Sequence, residues 1–349
     1  MSTVGGLEHP IDPLADAPPE GWVAGRSPWA LAGHKLVRNR MAMAALAVFL
    51  GIVVVSFMGP FYADHIAHTD PFTSQLTATT VINGKRVDVL QQGGGVLKLG
   101  ETPIGPTWQR NYFLGADSQG RDVAARVLYG GRTSLTIGIG SAVICSLLAV
   151  IVGMVAGFYG GVTDSIISRG LDVVWAFPVY LLAISIATVL LTQGLTIGPF
   201  SVSASSLWLP TLIIAVIYVP YVARPVRGAV LSVRENAYVH AAQSTGASMP
   251  RILWRHILPN VMAPVIVLFT TRVGAVILAE SGLAFLGLGV PPPAPTWGGM
   301  LSGSGRSYMY MAPWLALAPG LCITIVVYAI NVFGDALRDL LDPRMRGSR

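Results

Sequence analysis

Long, almost uncharged apolar stretches are the feature that most constrains this chain. They cover residues 41–63, 133–161, 173–223, 257–271 with its continuation, and 307–334. A transmembrane helix needs about 20 consecutive apolar residues, and only 11% of the 349 residues are charged, against about 25% in soluble domains. Because the third stretch is interrupted near Gln193 and by serines at 201–206, we expect it to supply two helices. The sequence predicts an all-α membrane protein with six transmembrane helices.

The distribution of Lys and Arg predicts how these helices are oriented. With six spans, both termini, the loop near Arg169 and the loop from Arg224 to Arg255 share one side of the membrane. That side carries 14 basic residues, whereas the short loops on the other side carry Arg306. Basic residues accumulate in cytoplasmic loops, so we expect both termini to be cytoplasmic. The net charge of +6 follows from the same bias and is no argument for binding nucleic acid.

The sequence also predicts how the amino-terminal region is divided. Residues 1–28 are rich in proline and have no apolar core of a signal peptide, so they indicate a disordered cytoplasmic tail. Residues 29–63 are expected to form an amphipathic lead-in and the first transmembrane helix. The lead-in either lies along the inner leaflet or only supplies flanking positive charge.

An external segment is expected over 64–130, and a second cytoplasmic tail over 336–349. The external segment contains Asn83-Gly84 between β-branched residues, a strong signal for a β-hairpin. Gly93 to Gly95 are interpreted as a flexible tip, because no phosphate-binding motif surrounds them. We therefore expect a small β-containing insert outside the membrane.

A polar, Arg-rich segment over 234–260 interrupts the apolar sequence. Ser248 and Pro250 suit the start of a helix. The residues that then recur at the spacing of one helical face are Met249, Ile252, Leu253, His256 and Ile257. Arg251 and Arg255 share the opposite side. Just before this helix, Tyr238 to Ser248 is rich in small residues, which would let another protein approach the backbone closely. We interpret the segment as a docking element.

No catalytic or cofactor-binding motif is present in the sequence. It has no phosphate loop, no HExxH, no paired CxxC and no GxSxG, so no cofactor is expected. His65 and His68 lack the further ligands that a metal site needs, and Cys145 and Cys322 fall within predicted spans as apolar, unpaired thiols. These absences disfavour an intramembrane enzyme and favour movement or recognition.

Two ionisable residues inside predicted spans are candidates for a transport pathway. Arg272 should lie near mid-membrane, and Glu280 near the outer interface. Their directions around the helix differ by about 80°, so both would be able to face one cavity. The alternative is that Arg272 pairs with a neighbouring helix and Glu280 is solvated. Separately, Gly153-x-x-x-Gly157, continuing to Gly161, predicts close helix packing.

The cytoplasmic loop resembles the EAA motif of permease subunits in binding-protein-dependent ABC importers. Ala241, Ala242, Gly246, Leu258 and Pro259 match that motif at its spacing, while His240 and His256 replace its Glu and Ile. Four blocks, over 112–135, 157–178, 238–260 and 280–301, resemble the C-type permease of dipeptide, oligopeptide and nickel importers. The resemblance covers the chain from about Tyr112 to the carboxyl terminus.

The resemblance implies a type I ABC importer transmembrane domain over 131–335 with a cytoplasmic coupling loop over 224–259. It further implies a second homologous permease subunit, two cytoplasmic ATPases that hydrolyse ATP, an external substrate-binding protein and a bacterial plasma membrane. The residues that it assigns to ATPase coupling are Tyr238, Ala241, Ala242, Gly246, Ala247, Ser248, Arg251, Arg255, Leu258 and Pro259. Peptides are the expected substrate, nickel or another small solute is the alternative, and a secondary transporter is the competing class.

Overall fold

The computed structural model describes residues 28–82, 84–92 and 101–341, so the tail predicted over 1–28 and the glycine tip lie outside the described residues except for Pro28. A π-helical turn, Tyr62–Ala67, follows the short helix that ends at Phe61. The elements of the first part of the chain are α1 (Pro28–Arg38), α2 (Arg40–Phe57), α3 (Gly59–Phe61), β1 (Thr79–Ile82), β2 (Lys85–Asp88), β3 (Leu90–Gln92), β4 (Glu101–Pro103) and α4 (Val123–Tyr159).

The second part of the chain is also mainly helical. Its elements are α5 (Gly161–Ala176), α6 (Val179–Gln193), β5 (Leu195–Ile197), β6 (Phe200–Val202), α7 (Trp208–Arg234), α8 (Ala237–Ser244), α9 (Met249–Ile252), α10 (Leu258–Phe285), α11 (Trp297–Met300) and α12 (Trp314–Leu341). A π-helical turn, Leu253–Ile257, joins α9 to α10. Another, Leu301–Gly305, follows α11.

Within the described residues, six candidate membrane spans are found when one broken helix is counted as a single span. Helices α2, α4, α7, α9 with α10, and α12 are long and apolar enough to cross a membrane, and α5 with α6 form a pair bent by 89°. The bend falls at Phe177, whose backbone is extended. Proline at 178 disfavours helical backbone at the preceding residue, which explains why the helix breaks there.

Several predicted boundaries were wrong. The second span begins at Val123 rather than near 133, because Asp122 caps the helix by accepting from the amide of Ala125 at 3.2 Å. The predicted loop near Arg169 is helix α5, and α12 continues to Leu341 into the predicted tail. The non-helical part of the predicted external segment therefore ends at Asp122, and the charged residues Arg126 and Arg132 that follow do not interrupt α4.

The close packing predicted for two glycines of α4 is confirmed. A Cβ atom added at Gly153 would lie 2.8 Å from the carbonyl oxygen of Ala223, and one at Gly157 would lie 2.9 Å from that of Arg227. Both carbonyl groups belong to α7, so small residues let the two helix backbones approach closely. The extension of this pattern to Gly161 was wrong: its φ is 53°, no atom lies within 4 Å of an added Cβ, and it begins α5 after the break.

The predicted hairpin of the external segment is confirmed. β1 pairs with β2 in antiparallel register, with Val81 opposite Arg86 and Ile82 opposite Lys85. A second hairpin, β3 with β4, was not predicted. Beside them, burial raises the pKa of the Tyr112 phenol to about 12, and its hydroxyl donates to the carbonyl oxygen of Gly120 at 3.2 Å. Tyr112 also packs in a buried cluster with Val89 and Ile104, so it joins the hairpins to the turn before α4.

Candidate functional site

The connection between α7 and α9, which was predicted as a cytoplasmic loop over 224–259, is shorter than that range. Residues 224–234 belong to α7 and residues from Met249 onward to the helix that continues into α10, so the connection proper is 235–248. Helix α8 fills most of it. We call residues 235–248 with the exposed side of α9 the coupling surface.

Val239 anchors α8 to the membrane helices. Its side chain is fully buried in a cluster that also contains Val230, Ile252 and Ile257. Burial of such a side chain stabilises the contact by about 1.5–3 kcal/mol. The sequence reasoning missed Val239, although its spacing of three residues from Ala242, which packs against the same cluster, is a helical signal.

The predicted coupling residues differ in exposure. Ala242, Ala247 and Leu258 are half-buried beneath the surface. The residues that are exposed are Tyr238, Ala241, Gly246, Ser248, Arg251, Arg255 and Pro259. Tyr238 is brought close to His256, with 6.5 Å between the ring centroids. The exposed members therefore form an outward side of the coupling surface that is free for a partner.

Gly246 adopts the left-handed backbone conformation that ends α8. Its φ is 78°, its amide donates to the carbonyl oxygen of Gln243 at 3.0 Å, and the amide of Ala247 donates to that of Ala242 at 3.1 Å. This pair of hydrogen bonds is the Schellman motif, which favours glycine at the left-handed position. An added Cβ at Gly246 would meet no atom within 4 Å, so conformation, not crowding within this chain, requires the glycine.

Replacing Gly246 by Ala should therefore destabilise the end of α8 by about 1–2 kcal/mol, the cost of left-handed backbone for an ordinary residue. Asn tolerates this conformation better, so Gly246→Asn is the matched control. Limited proteolysis of the purified protein should cleave the 235–248 connection faster in Gly246→Ala than in Gly246→Asn. Equal cleavage of the two variants and the parent would contradict the assignment.

The helix start predicted at Ser248 is confirmed. Ser248 has extended backbone, and Pro250 occupies the first turn of α9. Ile252 and Ile257 are buried as the periodicity predicts, but Met249 is 49% exposed because it lies at the helix start beside the loop. Trp254, which the sequence reasoning did not single out, is 70% exposed. Its size and aromatic character make it a further contact candidate on the coupling surface.

Arginines in the carboxyl-terminal part of α7 contact α4 and α5. Arg227 pairs with Asp164 and Arg224 with Asp172, both on α5. Arg234 donates to the carbonyl oxygens of Gly157 and Phe158, at 3.1 and 3.2 Å, at the end of α4. These arginines were predicted as loop charges, whereas the structure places them in a helix where they connect the coupling surface to two spans.

Arg272 lies beside aromatic residues of neighbouring helices. Its guanidinium carbon is 5.5 Å from the ring centroid of Tyr221, and its buried Nε has no hydrogen-bond partner among the described residues. Tyr221 contacts Trp175 edge to face, and the Trp175 ring also stacks with Arg224 at 3.6 Å. We call Trp175, Tyr221, Arg224 and Arg272 the cationic–aromatic cluster.

Glu280 has different surroundings from Arg272. It is 1% exposed, so the alternative of a solvated Glu280 is wrong. Its Oε2 is 3.4 Å from the hydroxyl of Ser281, and its Oε1 has no partner among the described residues. The two candidates thus contact different groups: Arg272 lies beside Tyr221 in the cationic–aromatic cluster, and Glu280 is enclosed near the carboxyl-terminal end of α10.

Comparison with known proteins identifies the family. The chain matches the model of the binding-protein-dependent transport system inner membrane component over residues 149–347, and that of the N-terminal TM domain of oligopeptide transport permease C over 27–78. It is similar to the solved MetNI methionine ABC transporter, with 16% identity over 62% of this chain and 96% of that chain and a TM-score of 0.48. That likeness is too distant to position individual residues.

Curated relatives match over nearly the whole chain. The dipeptide transport system permease protein DppC of Alkalihalophilus pseudofirmus is 35% identical over 94% of both chains. A putative peptide transport system permease protein of Brucella abortus is 37% identical over 92% of this chain and 94% of its own. The glutathione transport system permease protein GsiD of Pectobacterium atrosepticum is 34% identical over 92% and 93%. Inner membrane components of binding-protein-dependent ABC importers are multi-pass translocation subunits, not enzymes, and they work with ATPase and substrate-binding partners. The chain therefore belongs to this family.

Proposed function

We propose that this chain forms half of the transmembrane pathway of an ATP-driven importer of peptides. The observation that carries the proposal is the similarity, over more than nine-tenths of the chain, to permeases named for dipeptide, peptide and glutathione transport. The other half of the pathway comes from a second homologous permease subunit. Two cytoplasmic ATPases supply the energy, an external binding protein delivers the peptide, and both termini of this chain face the cytoplasm.

The coupling surface is the contact with the ATPase in this proposal. Buried Val239 attaches one side of α8 to the membrane helices, while Tyr238 and Ala241 are exposed on the same helix. Tyr, Trp and Arg are the residues most often central to protein interfaces, and Tyr238, Trp254, Arg251 and Arg255 are all exposed here. Because no ion pair of Arg251 or Arg255 occurs among the described residues, we expect an acidic groove on the ATPase.

Movement of the ATPase reaches the membrane through the base of this loop. Displacing α8 moves the packed Val239 cluster, and the Arg227–Asp164 and Arg224–Asp172 pairs carry the displacement to α5. Helix α5 continues into α6 through the bend at Phe177, a junction with little helical hydrogen bonding to resist a change of angle. Alternating access then results from tilting of this broken span.

The function is tested by uptake in cells that lack this chain and are complemented with it. Di- and tripeptides should compete with a labelled peptide, and uptake should stop when the ATPases are inactivated. If nickel competes and no peptide does, the substrate is nickel and the proposal of peptide import is wrong. Uptake by this chain without any ATPase would instead identify a secondary transporter.

Arg272 is proposed as a pathway residue, and the enclosed Glu280 as a packing residue outside the pathway. Arg272→Gln should lower uptake by about tenfold, the effect of losing one interaction with a charged group, whereas Arg272→Lys should retain more activity. Glu280→Gln preserves the shape of an enclosed side chain and removes a buried charge, so uptake and thermal stability should stay at parental levels. The checks are initial uptake rate and yield of the intact complex, and loss of the complex in Arg272→Gln would instead favour a packing role.

A further inference from the structure

A cavity of 530 Å³ opens at the outer ends of α4 and α10. Its walls come from the turn before α4, the proline-rich loop over 290–296 and the turn after α11. Ligand sites for small molecules have volumes of about 300–1,000 Å³ and combine apolar walls with a few polar groups. Here Leu191, Val290 and Met300 supply apolar surface, and Gln119 and Ser302 supply polar groups. Neither the coupling surface nor the cationic–aromatic cluster contributes to this cavity.

The charged groups of the cavity leave one positive charge in excess. Among the described residues that line it, the ionisable ones are Asp117, Arg121 and Arg126. Oδ2 of Asp117 accepts from Nε of Arg121 at 2.8 Å and lies 2.7 Å from its Nη2, and Nε of Arg126 lies 3.3 Å from the same oxygen. One carboxylate therefore pairs with two guanidinium groups and neutralises only one of their two positive charges. Nη1 of Arg121 makes no hydrogen bond to any described residue.

Several hydrogen bonds hold the turn that carries these charges. Oδ1 of Asp117 accepts from the amides of Gln119 and Arg121 at 2.9 and 3.0 Å, which fixes the turn. The hydroxyl of Ser118 lies 2.6 Å from that of Ser304, so the turn is joined to the opposite wall. Arg126 also donates to the carbonyl oxygen of Pro71 at 2.5 Å. A preorganised guanidinium loses little freedom when it binds an anion, which strengthens the interaction.

We propose that this cavity receives the carboxyl-terminal carboxylate of a short peptide at the outer mouth of the pathway, with Arg121 as the group that binds it. The inference rests on the proposed import of peptides. Arg guanidinium groups bind carboxylates in paired, charge-assisted hydrogen bonds, and the volume suits a peptide of two or three residues. The side chains of Arg121, Arg126 and Asp117 are only 11%, 9% and 5% exposed, so the excess charge lies below the rim. A small ligand that enters the cavity reaches it more readily than an acidic side chain on a partner's flat surface.

The test compares Ser302→Glu with Ser302→Gln in the complete importer, reconstituted with its ATPases and binding protein. The two side chains have the same length and differ in charge, and position 302 lines the cavity. Uptake is measured for a dipeptide with a free carboxylate and for its carboxyl-terminal amide, each loaded on the binding protein at saturating concentration. Ser302→Glu should lower the acid-to-amide uptake ratio about tenfold relative to Ser302→Gln, as expected for repulsion and competition at one charged hydrogen bond.

A second pair of variants keeps the inference testable if position 302 affects folding. Arg121→Gln should lower the same ratio about tenfold, whereas Arg110→Gln, an equal loss of charge at an exposed external position, should leave it unchanged. Unchanged ratios in both charge variants would overturn the carboxylate site while leaving peptide import intact. Equal loss for both peptides, with weaker docking of the binding protein, would overturn it too and assign Arg121 to the protein contact.

Discussion

Replacing Ala241 by Trp is expected to lower ATP-driven uptake by about 10- to 100-fold without reducing the amount of this chain in the membrane. Ala241 is exposed on α8 and does not belong to the buried cluster around Val239, so we expect a larger side chain at this position to leave the fold of this chain intact. In the proposed complex it faces the ATPase. Inserting a bulky side chain into a packed contact costs about 1–3 kcal/mol or more, which corresponds to that loss of docking.

Measurement of uptake and ATP hydrolysis together distinguishes uncoupling from misfolding. In Ala241→Trp, the binding protein should no longer stimulate hydrolysis, because the ATPases no longer sense the permease. Ala241→Ser is the control, since it adds a single oxygen at the same exposed position and should behave like the parent. Parental uptake by Ala241→Trp, at equal expression, would remove the coupling role of α8.

Replacing Gly157 by Leu is expected to prevent stable packing of α4 against α7. Even a Cβ atom at this position would lie 2.9 Å from the carbonyl oxygen of Arg227 and 2.9 Å from the Cβ of Val230. Both are parts of an α-helix that cannot move locally, so a Leu side chain has to separate the helices. Separation would expose the buried Val226 and Val230 and break the Arg234 contacts with α4.

We expect a destabilisation of more than about 3 kcal/mol, the upper range for overpacked cores. Thermal aggregation of the detergent-purified protein measures it, and little monodisperse Gly157→Leu protein should be recovered. The control is Gly51→Leu on α2, where no atom lies within 4 Å of an added Cβ. Equal thermal stability of Gly157→Leu and Gly51→Leu would show that the α4–α7 contact is looser than the structure has it.

The sequence predicts those features that depend on local signals. Apolar length predicts the spans, Asn83-Gly84 predicts the first hairpin, and Ser248 with Pro250 predicts the start of α9, because each depends on neighbouring residues alone. The break at Phe177 also has a local cause in Pro178, but the apolar run continues across it and concealed the bend. Hydropathy reports composition and is insensitive to backbone direction.

Other features depend on residues distant in sequence. The burial of Val239 follows from Ile252 and Ile257, and the cavity charge follows from three residues whose ion pairs only the folded turn reveals. Arg224 and Arg227 were counted as charges on one predicted side of the membrane, whereas their pairing with Asp172 and Asp164 required the position of α5. Charge counting identifies a side of the membrane and carries no information about partners.

The most direct test of the central claim introduces cysteine at Ala241 and maps it in the assembled complex. The native Cys145 is buried and Cys322 is half-buried, so the new thiol is the most accessible one among the described residues. A short cross-linker added to inside-out vesicles should join this chain to an ATPase subunit, and a membrane-impermeant thiol reagent added to intact cells should leave position 241 unlabelled. Labelling from outside, or no ATPase adduct while the complex is intact, would contradict the proposed coupling.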